Sequence, residues 1–457
     1  MIYEPYAYQQ YCTERLINEP FLGLFLEPGM RKTAITLTAI NELRYCRWAV
    51  GKTLVVAPKK VAEATWQAEA KKWDHLKLLR ISTVLGTAAQ RERALATPTD
   101  IYVINRDNVT WLVEYYQNAW PFGVVILDES SSFKDSSTRR FKSLCLVRSR
   151  ISRLVLLTGT PAANSLMDLW AQVYLLDEGE RLGNRITHFR ERFFYQNPYS
   201  RQYAPKDGSF EYIKKALGDI CVSMEAKDYI DLPELMYNEI PVALDAAAAK
   251  AYSLFEKQMF LELEEGELNA GSACVLTGKL LQFCSGAVYD AARQVIGVHN
   301  CKIEALLEFL EGLGGQAVLV FYQFQHDRDR ILAALAAKRK DLRVRVFKSA
   351  ADQDDWNAGQ IDLLLAHPMS CAYGLNLQEG GHHVLWFTPT WSLEQYEQAN
   401  RRLYRSGQQQ PVTIHHLVVQ GGMDEDVIAA LQGKREMQGA LLEALRVRIK
   451  KAREGAM

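Results

Sequence analysis

Short apolar runs rich in β-branched residues alternate with helical stretches along most of this chain, and the alternation starts, stops and starts again. The first set is FLGLFLE, LVVAP (54–58), IYVIN (101–105), VVILD (124–128) and RLVLLTG (153–159). The second is AVLVFYQ (317–323), RVRVFK (343–348), DLLLAHP (362–368), HVLWF (383–387) and VTIHHLVV (412–419). A strand and helix rhythm of this kind predicts an α/β fold of mainly parallel sheets with helices on both faces. Because the plan runs twice, two lobes are expected: 1–235, with a helical insertion at about 177–229, and 236–457, with a helical insertion at about 245–285. Pro233 and Pro241 bracket the expected hinge.

VVILDESS, at Val124 to Ser131, reads as a buried parallel strand that delivers Asp128 and Glu129 to its carboxyl end. Ligands of open α/β sheets bind at that end of the strands. The plain alternative is that the two carboxylates cap the helix that follows.

GMRKT, Gly29 to Thr33, lies between an apolar strand and the helical stretch KTAITLTAINELR. That is the context of a phosphate-binding loop, in which backbone N–H groups at a helix amino terminus hold the anion. Gly29, Met30, Arg31, Lys32 and Thr33 would form the cradle, with Lys32 neutralising the β/γ oxygens and Thr33 ligating Mg2+. Beside such a loop, Asp128 holds Mg2+ and Glu129 orients and deprotonates the attacking water. A second GKT, Gly51 to Thr53, precedes a strand instead of following one, so its amides do not meet a ligand at a helix start. Arg31 stands where such loops usually carry glycine, a residue that lets the backbone approach phosphate without a Cβ. If the position needs positive φ, Arg31 is strained there.

In the second half, Ser392 and Gln395 suggest a capping box that starts a helix, with Gly407 stopping it. On that helix Gln398, Arg402 and Arg405 would share one face, opposite Leu393, Tyr396 and Leu403. Two arginines on a polar face are commonly just solvated, but in a chain with a phosphate loop they fit arginine fingers acting across a cleft between lobes.

Composition narrows the partners. The 54 basic and 54 acidic side chains cancel, so nucleic-acid contacts must come from local patches rather than a global field. Eight cysteines without a C-x-x-C pair give no support to a zinc site or disulfide framework and read as reduced core thiols. No signal-like amino terminus or apolar stretch of about 20 residues occurs, which predicts a cytoplasmic protein with no membrane contact.

The order and wording of these segments resemble the Swi/Snf family of superfamily 2 helicase-like ATPases, in its compact bacteriophage and prophage form. Tyr8 and Gln9 resemble the adenine-reading motif, GMRKT motif I, VVAPKKVAEATWQAEAKKW motif Ia and LDESSSFKDSSTRRFK the DEAH-type box. LLTGTPAANSLMDLWAQ resembles motif III, AVLVFYQF motif IV, GLNLQEGGHHVLWF motif V and QANRRLYRSGQ motif VI. The resemblance implies two RecA-like lobes and a DNA-stimulated ATP hydrolase that translocates along duplex DNA, remodelling DNA or protein–DNA complexes. It implies Gln9 as adenine reader, Lys32, Asp128, Glu129, Arg402 and Arg405 as the catalytic set, and Gly374 and Gln398 as further nucleotide-site residues. Thr158 and Thr160 in motif III and Gly374 in motif V would couple nucleotide state to DNA. Candidate DNA contacts, made mainly through phosphates, are Lys59 and Lys60, Arg106 and Gln323. The expected protein is a monomer in the bacterial host cytoplasm, using ATP and Mg2+, with phage replication or recombination proteins as candidate partners. Two alternatives stand: a strand-separating helicase, and a nucleotide-gated DNA-binding module whose hydrolysis Arg31 impairs.

Overall fold

The computed structural model describes residues 1–457 except 160, 163–164, 197–202, 226–227, 230–231, 262–269, 372–374, 434–443, 446 and 449–457. The chain divides into two units, Met1–Asp231 and Leu232–Met457. Each is built on its own parallel sheet, so the α/β plan of two lobes read from the rhythm is the one observed, in keeping with the RecA-like lobes that the resemblance implies.

The first sheet has seven strands: β1 (Phe21–Leu26), β2 (Thr53–Ala57), β3 (Ile81–Val84), β4 (Ile101–Asn105), β5 (Val124–Asp128), β6 (Arg153–Thr158) and β9 (Cys221–Met224). Their order is β3-β4-β2-β5-β6-β1-β9, and every pairing is parallel. The central strands β2, β4 and β5 are buried at every position, as expected of strands covered on both faces. Because all strands run the same way, the segments following β1, β2, β4, β5 and β6 emerge at one edge. Two of these strands departed from the sequence reading. β3 is short and half-buried, with too little apolar signal to stand out. β9 lies inside the region expected to be a purely helical insertion. That region also holds a helix at Ile186–Phe193 and an antiparallel hairpin of β7 (Phe194–Gln196) and β8 (Tyr203–Pro205).

The second unit opens with β10 (Leu235–Val242) and helices Ala246–Leu261 and Ala270–Ser285. A small antiparallel pair follows, β11 (Ala287–Tyr289) with β12 (Val295–Gly297). The second sheet comprises β10, β13 (Val318–Phe321), β14 (Val344–Val346), β15 (Leu363–Ala366), β16 (His383–Trp386) and β17 (Val412–Val419), in the order β10-β17-β16-β13-β15-β14. Pro241 therefore does not mark a hinge: it sits within β10, opposite Val418. β10 is an edge strand, and its even-numbered residues face β17, since the carbonyls of Glu234 and Val242 accept from Val412 and Gln420. Pro241 points its missing N–H away from the ladder and loses no bond there.

The cores follow the apolar pattern. Ile35, Leu37, Ile40 and Leu43 are all buried, as the helical stretch after the phosphate loop predicts. Trp386 is fully buried with its Nε1 on Asn400 Oδ1 at 2.9 Å. The cysteines are less uniform than expected: Cys12 and Cys284 are buried, but Cys46 and Cys274 are exposed. No described helix is long and apolar enough to cross a membrane.

Candidate functional site

The candidate phosphate loop, Gly29–Thr33, turns between β1 and the helix Lys32–Asn41. Gly29 has φ 94°, a value that favours glycine, and Arg31 has φ 54° and ψ 38°, in the left-handed region. Arg31 thus adopts the positive φ that a glycine would take at no cost. Lys32 Nζ donates to the carbonyls of Leu26 at 2.6 Å and Glu27 at 3.4 Å, at the end of β1. Thr33 is half-buried in the first helical turn. Met30 is buried, and its carbonyl accepts from Tyr8 Oη at 3.4 Å.

That tyrosine ties the amino terminus to the loop. Gln9 is fully buried, donating from Nε2 to Tyr8 Oη at 3.1 Å and accepting at Oε1 from the Tyr6 N–H at 3.1 Å and Tyr3 Oη at 3.4 Å. Its amide is held by tyrosines, and Tyr8 links it to the Met30 carbonyl. Tyr8 is pushed up to about 12 by burial.

Asp128 ends β5 at the same sheet edge. Burial raises its carboxyl above the usual range, opposed by a hydrogen bond from Trp66, by the Lys32 ammonium and by the Glu129 backbone N–H. Trp66 Nε1 donates to Asp128 Oδ2 at 3.0 Å. Glu129 follows with φ 53° and makes no side-chain cap to the short helix Ser130–Phe133, against the plain capping reading. Asp128 and Thr33 offer the hard oxygen donors that suit Mg2+. No cluster of three or more His, Cys, Asp or Glu that could hold a metal occurs among the described residues.

Three supporting residues were not singled out from the sequence. Trp66 orients Asp128, and its signal was an indole in a helix after β2 that would need a partner once buried. Gln172 accepts from Ser130 Oγ at 2.8 Å and donates to the Pro161 carbonyl at 2.7 Å, joining the segment after Asp128 to that after β6. Gly159 packs on Pro28 of the phosphate loop. Thr158 is buried at the end of β6, whereas Thr160 lies outside the described residues.

Lys59 and Lys60 are exposed after β2 and Arg106 is half-buried after β4, at the edge that also carries the phosphate loop. Gln323, in the second unit, is less available: Oε1 is buried, and its N–H donates to Asp327 Oδ2 at 3.3 Å.

The helix expected to carry Gln398, Arg402 and Arg405 spans only Leu393–Asn400, capped by Ser392 Oγ accepting from the Gln395 N–H. Arg402 and Arg405 lie beyond its end, so the shared helical face expected for them does not exist. They converge differently: Arg402 Nη1 and Arg405 Nη1 both donate to the Leu375 carbonyl, at 3.3 and 2.8 Å. Arg402 Nε also donates to the Gln398 carbonyl at 2.8 Å, and buried Gln398 donates to Glu394 at 3.3 Å. Gly374 lies outside the described residues.

A family model for the SNF2-related domain matches residues 18–284. Protein p41 of Acyrthosiphon pisum secondary endosymbiont phage 1 is 38% identical, over 97% of this chain and 99% of its own length. DNA repair and recombination protein RAD54-like of Gallus gallus is 22% identical over 91% of this chain, which spans 63% of that relative. The Sulfolobus solfataricus SWI2/SNF2 ATPase core in complex with dsDNA aligns over 99% of this chain and 98% of its own, at 19% identity and a TM-score of 0.45. With more than half its length matched by the family model, and a phage relative aligned nearly end to end, this chain belongs to the SNF2-related family of helicase-like ATPases.

Proposed function

We propose that this chain is a DNA-stimulated ATP hydrolase that uses its cycle to move along duplex DNA and remodel DNA or protein–DNA complexes. The observation that carries the reading is the convergence, at one edge of the first sheet, of the Gly29–Thr33 loop, Asp128 and the Thr158–Gly159 turn. Lys32 and the loop amides bind phosphate, and Gln9 reads adenine after exchanging its tyrosine partners. Thr33 and Asp128 hold Mg2+, which when bound neutralises charge on the phosphates. Glu129 orients water and takes its proton, while Arg402 and Arg405 stabilise charge on the transferring phosphoryl group, with Gln398 beside them. Lys59, Lys60 and Arg106 contact DNA phosphates, with Gln323 a weaker candidate. The RAD54-like relatives are DNA repair and recombination proteins, which supports DNA as the partner. The reading includes a chain that acts as a monomer in the host cytoplasm.

The test is steady-state ATP hydrolysis by the full chain alone, with single-stranded DNA and with duplex DNA, beside Lys32→Ala. Stimulation by duplex that Lys32→Ala abolishes is expected. Robust strand displacement on a forked duplex would replace translocation with unwinding. The positive φ of Arg31 favours one further reading, a nucleotide-gated binding module; turnover confined to Arg31→Gly would establish it.

A further inference from the structure

Arg31 occupies a left-handed backbone position, φ 54° and ψ 38°, that glycine adopts freely and other residues hold only when their surroundings enforce it. Two aromatic rings lie against its side chain. The guanidinium carbon lies 5.9 Å from the Tyr6 ring centroid and 5.6 Å from that of Trp73, within the range of cation–π attraction.

Both rings are themselves fixed. Trp73 Nε1 donates to Glu69 Oε1 at 2.7 Å, and its ring meets Tyr3 edge-on at 5.0 Å. Tyr3 stacks on His75 at 4.9 Å, and His75 Nε2 is 2.9 Å from Thr38 Oγ1, on the helix that Lys32 begins. Tyr6 stacks at 6.0 Å on Tyr8, whose hydroxyl holds the Met30 carbonyl. The contacts from Arg31 thus return, by two routes, to Met30 beside it and to Thr38 on the helix that follows it.

We propose that Arg31 is a positioning residue. Tyr6 and Trp73 clamp its guanidinium, and the clamp keeps the phosphate loop in the left-handed conformation that related loops obtain from glycine. The inference rests on reading Gly29–Thr33 as the nucleotide site and adds to it a device that replaces the missing glycine. If the rings act through Arg31, removing them matters only while Arg31 is present.

The experiment measures the Kd, KM and kcat for ATP of the full chain carrying Tyr6→Leu, Trp73→Leu or Trp73→Phe, each with Arg31 and with Arg31→Gly, together with each melting temperature. With Arg31 in place, Tyr6→Leu and Trp73→Leu are expected to raise Kd and KM by about three- to tenfold, with a smaller change in kcat. Trp73→Phe, which keeps a ring face, should recover most of the loss. In the Arg31→Gly background the same changes should shift Kd by less than about twofold. Equal losses in both backgrounds, or none in either, would overturn the clamp; half-exposed Tyr6 keeps the test open if Trp73→Leu unfolds the chain. Lys32→Ala separates the two levels. Absence of ATP binding, or binding unaffected by Lys32→Ala, removes the nucleotide-site reading and the clamp with it, whereas binding that needs Lys32 but ignores the rings removes the clamp alone.

Discussion

Gly159 stands against Pro28: a Cβ built on the glycine would lie 2.6 Å from Pro28 Cδ. The contact joins the end of β6 to the phosphate loop, whose parent strand β1 is its neighbour in the sheet with Phe25 beside Thr158. A methyl group here must push Pro28, and with it the loop. Gly159→Ala is expected to raise the KM for ATP several-fold and to lower stability by about 1–3 kcal/mol, the usual cost of overpacking. Unchanged ATP kinetics and an unchanged melting temperature would show that the loop yields without consequence.

Trp66 and Asp128 make a second such pair. Trp66→Phe keeps a ring in the core but removes the indole N–H that Asp128 Oδ2 accepts at 3.0 Å. Leaving a buried carboxylate oxygen short of its partner should cost about 1–3 kcal/mol. The urea midpoint reads this loss, and slower ATP turnover with intact folding is expected alongside it, because the carboxylate is no longer held in one orientation.

In the second unit, Lys302 Nζ lies 2.7 Å from Asp424 Oδ2, both side chains fully buried, and also donates to the Phe387 carbonyl at 2.9 Å. Burial raises the Asp424 carboxyl, and the ammonium opposes that shift. Removing one partner strands the other, so Lys302→Met or Asp424→Asn should destabilise by about 3–5 kcal/mol. The double variant Lys302→Met/Asp424→Leu should regain much of that loss. A double variant as unstable as the sum of the singles would argue that the pair is not an energetic unit.

The same sheet carries a polar chain in which Asn238 Nδ2 lies 3.0 Å from His415 Nδ1, His415 Nε2 is 3.1 Å from His383 Nδ1, and His383 Nε2 is 2.7 Å from Gln316 Oε1. Burial first, and a neighbouring histidine second, depress His383 and His415 to about 4 and His416 to about 3, from 6.5. His382, whose ring is 4.4 Å from that of His383, is also lowered by burial. The folded values lie below the unfolded one, so the unfolded chain binds more protons between about pH 6.5 and 4. Stability should be fully present above pH 6.5 and fall through that window. Urea midpoints at pH 7.5 and 5 measure it, and His415→Gln should flatten the slope; a midpoint independent of pH would contradict the burial of these rings.

What was legible in the sequence followed from periodicity and from residues with few physical excuses. Strands buried on both faces, such as β4 and β5, show as continuous apolar runs, and Gly29 to Thr33 can be placed because the loop lies between a strand and a helix. β9 was missed because four residues at the end of a long insertion carry little pattern, and β10 because two prolines outweighed the few apolar residues of a largely exposed edge strand. The helix carrying Gln398 was extended too far: helical spacing brings Arg402 and Arg405 together on paper, whereas a carbonyl at Leu375 brings them together in space. Backbone conformation was the least accessible quantity, since nothing in the letters GMRKT fixes the sign of φ at Arg31.

Pro241 has one further consequence. The odd-numbered residues of β10 face outward, where an edge strand offers a ladder of donors and acceptors to any passing chain. At Pro241 that ladder lacks a donor, so an incoming strand would lose registry near the carboxyl end of β10. A position that costs the native sheet nothing thereby makes the molecule a poorer template for self-association through this edge.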